Sequence, residues 1–115
     1  MTRRALGTAA WVALAGWGTA LAVRPATTVR AVCGGTPVPP PAVVRVLGVR
    51  QVLQSAVLLL RPSRPLATAA AMVDGLHAAS MVAAALAWPR YRRPALTSAA
   101  VAAGAAVVTL AAPPE

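Results

Sequence analysis

Four apolar stretches, each about as long as a bilayer crossing, alternate in this chain with short segments rich in arginine and proline. The first, residues 5–23, has no charged residue over nineteen positions. As a helix it would reach about 28 Å, close to a hydrocarbon core of about 30 Å. Arg3 and Arg4 precede it, and Arg24 with Pro25 closes it. A secretory leader begins in a similar way, but its apolar core is shorter. Arg24 also stands where a small-residue cleavage site would be needed, so a retained helix is expected.

Residues 24–42 contain Pro25, Gly34, Gly35, Pro37, Pro39, Pro40 and Pro41, which predicts an extramembrane loop. The remaining apolar stretches cover about 42–60, 66–88 and 95–112. Between them lie two cationic, proline-bearing breaks, residues 61–65 and 89–94, and the tail Pro113-Pro114-Glu115 stops the last helix. The pattern predicts an all-α fold: a single membrane domain, residues 1–115, built as an integral bundle of four transmembrane helices.

Composition agrees with the pattern. Hydrophobic residues make up 58% of the 115 and charged residues 11%, a balance that a soluble domain this small cannot bury. The net charge of +9 comes from eleven arginines against Asp74 and Glu115, with no lysine. Such basicity often signals nucleic acid, but here the arginines flank apolar blocks instead of forming a face with interleaved aromatics. No nucleic-acid partner is expected. Four arginines on the N-terminal side and five on the other leave the orientation undecided. Cys33 is the only cysteine, so no intrachain disulfide and no cysteine metal cluster can form; it reads as a free thiol in the loop.

The second span is the least comfortable in lipid, because Arg45, Arg50, Gln51 and Gln54 lie within it. Its eleven Val and Leu residues contribute roughly −3 to −6 kcal/mol on the insertion scale, and a central Arg costs about +2.5 to +3.5. With two glutamines added the sum is near zero, so the polar groups need partners. The third span offers them. The short 61–65 turn makes the second and third spans antiparallel neighbours. Counted from Ser63, Arg50 lies about 20 Å deep, Asp74 about 17 Å, His77 about 21 Å and Gln54 about 14 Å. Asp74 and His77 share one face of their helix, and Arg50 and Gln54 share one face of theirs. Arg50, Gln54, Asp74 and His77 are therefore the candidate intramembrane cluster, serving as an ion pair or as a ligand or proton site.

Two further features complete the reading. Ala67, Ala71, Gly75, Ala79, Ala83 and Ala87 recur every four residues and predict a close-packing ridge, for another helix of the bundle or for a second copy. Met72 and Met81 read as core filler. No phosphate loop, activated nucleophile, second acid or metal-ligand set is present, so no enzyme, metal or cofactor is expected.

The run Arg45-Val46-Leu47-Gly48-Val49-Arg50-Gln51-Val52-Leu53-Gln54, with an acid in the third helix at Asp74 followed by His77, resembles small four-helix membrane proteins common in actinobacteria. These look distantly related to the DoxX-like group. The resemblance spans roughly residues 43–95 and implies a multi-pass protein of the cell membrane, with quinone or thiol redox chemistry associated with some members. Cys33, however, lies outside every expected span. Small multidrug transporters share this length and helix count but need a carboxylate in the first helix, and residues 5–23 have none. The expected partners are the bilayer and either a second copy or another membrane protein. The leading expectation is a structural or interaction component with a buried Arg–Asp pair; the alternative is a small transporter or ligand-binding protein with a titratable Asp/His site.

Overall fold

In the computed structural model, which describes residues 2–34 and 37–111, the chain is all-α. The helices are α1 (Arg3–Val23), α2 (Pro25–Cys33), α3 (Pro41–Leu60), α4 (Arg64–Ala87) and α5 (Arg92–Ala111), with a 3₁₀ turn at Pro89–Tyr91 between the last two. Four helices, α1, α3, α4 and α5, are long and apolar enough to cross a membrane, giving a multi-pass architecture. Expected and observed spans agree to within a few residues. The prolines explain most of the offset: Pro41, Pro65 and Pro94 sit inside first turns, where a missing N–H costs nothing. Thr2 and Ser63 cap α1 and α4, accepting hydrogen bonds from the Ala5 and Leu66 N–H groups at 3.1 and 3.2 Å. Ala112, the expected end of the last span, and the tail that follows lie outside the described residues.

The 24–42 segment is not wholly a loop. Residues 25–33 form α2, because Pro25 is tolerated at a helix start and nothing between Ala26 and Cys33 breaks a helix. Gly34, at φ +72°, ends it. Cys33 is accordingly the last residue of α2. Its thiol is free, as expected, but it is buried at a helix end and not in a loop, and its Sγ–H donates to Thr97 Oγ1 at 3.5 Å.

The helices pack as two pairs, α1 with α3 and α4 with α5. The short turn does not make α3 and α4 intimate neighbours, as the sequence suggests; they approach closely along a narrow strip only. The α1–α3 contact explains the preference. A Cβ added to Gly18 would stand 2.7 Å from the Gly48 carbonyl oxygen, and one on Gly48 would stand 2.6 Å from the Gly18 oxygen and from the Ala22 nitrogen. The two backbones touch there, which no larger residue allows. Near the turn, Trp11 and Leu58 cluster with Ala67 and Ala70, joining one pair to the other. At the opposite end Leu21, Val29, Cys33 and Val44 tie α2 to α1 and α3.

The ridge on α4 divides. Ala67 and Ala71 are buried, while Gly75, Ala79, Ala83 and Ala87 are exposed, and a Cβ on Gly75 would meet nothing within 4 Å. A strict four-residue step overshoots the 3.6-residue turn by about 40° each time, so the ridge winds off the packed face. The buried residues Ala67, Ala70, Ala71, Asp74 and Ala85 follow the helical period instead. Large side chains such as Leu53, Leu60, Leu76 and Leu86 point outward, the arrangement expected when lipid is the solvent.

The glycines make a direct test. Gly48→Leu is expected to lower stability in a detergent unfolding titration by about 1–3 kcal/mol or to prevent folding, because α1 and α3 must separate. Gly75→Ala should leave the midpoint unchanged or slightly higher. Equal losses at both positions would contradict the packing.

Candidate functional site

Arg50 and Gln54 lie one turn apart on the strip of α3 that faces α4. Arg50 Nη1 donates to Gln54 Oε1 at 3.0 Å, and Gln54 Nε2 donates to Asp74 Oδ2 at 3.0 Å. Arg50 Nη1 also stands 3.7 Å from Asp74 Oδ1. The result is a closed triangle: one amide ties the guanidinium to the carboxylate, and the charges face each other across the third side. Asp74 is 1% exposed and Arg50 is 29% exposed. The carboxylate thus has no route to solvent or lipid, while part of the guanidinium reaches the surface of the groove between α3 and α4.

Two atoms of the triangle remain without hydrogen bonds, Arg50 Nε and Asp74 Oδ1, and both are buried. The 3.7 Å separation is an ion pair by distance but too long for a hydrogen bond, so the triangle depends on Gln54 for its directional contacts. This is the partnership that the second span needs in order to insert.

His77 goes elsewhere. Its Nε2 is 2.7 Å from Ser98 Oγ on α5, so it serves the α4–α5 pair and makes no hydrogen bond with the Arg50 triangle. Three residues on a helix leave about 60° between side chains, enough to turn His77 from α3 toward α5. Among the described residues, no three His, Cys, Asp or Glu side chains come together as a metal site.

Other polar contacts lie outside the set that sequence spacing picks out. Trp11 Nε1 donates to Thr109 Oγ1 at 3.2 Å, linking α1 to α5. Gln51 Nε2 donates to Ser55 Oγ at 3.3 Å inside the α1–α3 contact. Ser98, the partner of His77, carries no sequence signal of its own. Gln51 does: it falls three residues after Gly48, on the same face.

No protein-family model, curated protein or solved structure matches this chain. The arrangement of the site therefore stands on its own geometry.

Gln54 is the variable that separates a triangle from a simple ion pair. Gln54→Leu, close in size, leaves Asp74 Oδ2 without its donor and should cost about 1–3 kcal/mol in detergent unfolding. Stability equal to wild type would mean that the Arg50 charge alone holds Asp74.

Proposed function

We propose that this chain is a non-enzymatic, multi-pass protein of the cell membrane with a structural or interaction role. Its Arg50–Gln54–Asp74 triangle would fasten the α1–α3 pair to the α4–α5 pair. The observation that supports this reading is the enclosure of Asp74: a carboxylate 1% exposed, held by groups of its own chain, is placed for holding helices and not for receiving a substrate. Such a unit would present a fixed apolar exterior to lipid or to other membrane proteins.

A second reading has its own observation. Asp74 Oδ1 and Arg50 Nε are buried without hydrogen-bond partners, as they would be if a proton or a small ligand completed the set in another state. Under that reading the protein is a small transporter or ligand-binding membrane protein, with Asp74 titrating and His77 three residues further along α4.

Charge removal separates the two. Arg50→Leu should cost on the order of 3–5 kcal/mol, because it strands the buried Asp74 carboxylate, and Asp74→Leu should cost less, because part of the Arg50 guanidinium reaches the surface, while the double variant should be close to wild type. An Asp74→Leu protein as stable as wild type, or more so, would sink the structural reading and favour the second.

A further inference from the structure

On the α2 side of the bundle the two helix pairs leave a cavity of about 490 Å³. It falls within the roughly 300–1,000 Å³ usual for sites that hold small molecules. Its walls come from both pairs and from α2, and they are almost entirely apolar. Its deepest residues agree in level: Trp17, Leu47, Met81 and Ser98 are each six residues in from the helix end on that side, about 9 Å along the axis. Ser98, at this level, is also the partner of His77. Val43 and Trp88, both exposed, also line the cavity, with Tyr91 in the 3₁₀ turn. Trp and Tyr at such a level are suited to the boundary between headgroups and chains.

The surroundings of this cavity are cationic. Arg30, Arg90, Arg92 and Arg93 are exposed on the same side, while Asp74, the sole carboxylate side chain among the described residues, is buried in the bundle. Arg93 Nη1 reaches the Cys33 carbonyl oxygen at 3.4 Å, so one guanidinium is anchored against a residue of the cavity wall. Arg90 stacks over Tyr91, with 5.5 Å to the ring centroid.

An apolar space of this kind does not hold water stably, and in a bilayer the abundant filler is hydrocarbon. We propose that the cavity binds an acyl chain of an anionic membrane lipid, with the headgroup lying among the arginines of the α2 side. The chain supplies apolar contact for Leu47, Met81 and Ala84, and the phosphate supplies the counter-charge that this face lacks. Arginine suits that role because its planar fork pairs with phosphate oxygens. The inference does not depend on the role proposed for Asp74.

The test uses the full chain in lipid nanodiscs containing trace phosphatidylglycerol or phosphatidylcholine, each with the same photoactivatable acyl chain. Cross-linked residues are then mapped by mass spectrometry. The expected result is labelling at cavity residues such as Leu47 and Met81, at least tenfold stronger for phosphatidylglycerol. Ala84→Phe should abolish that labelling, and Arg93→Gln should shrink the preference for the anionic lipid. Labelling confined to outward residues such as Leu76 and Leu86, or equal labelling by the two lipids, would overturn the proposal. So would wild-type cavity labelling in a folded Ala84→Phe protein. The wild-type map decides the matter even if a variant fails to fold.

Discussion

A carboxylate placed in the interior of a membrane bundle has to be compensated where it stands, and the packing around α3 and α4 follows from that requirement. Asp74 receives a hydrogen bond from Gln54 and the charge of Arg50, while Gln54 accepts from the same guanidinium. Three polar groups, each unfavourable in lipid, are tolerable together because each offsets another's loss of water. The amide matters as much as the charges. Without it the guanidinium and carboxylate face each other at a distance too long for a hydrogen bond.

Polar links of this kind carry more weight in a bilayer than apolar burial does. Lipid tails are as apolar as leucine, so burying large side chains gains little, and helices associate through small residues and polar links. The α1–α3 pair closes over Gly18 and Gly48, where the backbones touch, and alanines such as Ala70 and Ala71 lie buried in α4. Among the described residues the pairs are joined in several ways, one of them the Trp11–Thr109 hydrogen bond between α1 and α5. Near the turn the join is an apolar cluster around Trp11 and Leu58; in the middle it is the triangle; on the α2 side it is a cavity crossed at its edge by the Cys33 and Arg93 contacts. The cavity exists because the pairs are held together below it and remain apart above it.

Much of this was legible in the sequence because proline and arginine mark where apolar helices must stop. The depth of Arg50, Gln54 and Asp74 followed from counting at a fixed rise from Ser63, which needs no knowledge of packing. What counting cannot supply is direction around the helix axis. His77 lies close to Asp74 in sequence but is rotated toward α5, and its partner Ser98 is one small hydroxyl among many small residues. On the α4 ridge the same drift, a four-residue repeat against a 3.6-residue period, carries Gly75, Ala79 and Ala83 off the face packed within this chain and leaves them exposed, where a second copy could meet them. Pro25 misleads differently: the residue that ends α1 also starts α2, and the two roles look alike in a list of prolines. The Gly18–Gly48 contact joins two helices separated by a long connection, so neither glycine announces the other.

The bridge between Gln54 and Asp74 is open to direct observation. Asp74 is the only aspartate in the chain and Gln54 is one of two glutamines, the other being Gln51, which bonds to Ser55 within its own helix. Solid-state NMR of the protein in bilayers, with ¹³C-labelled aspartate and ¹⁵N-labelled glutamine, can therefore measure the side-chain amide to carboxyl coupling without ambiguity. The structure predicts a strong coupling from one glutamine side chain, lost in Gln54→Leu and retained in Gln51→Leu. A carboxyl carbon with no coupling to either amide nitrogen, in a protein that is otherwise folded, would contradict the claim that this amide bridge joins the two helix pairs.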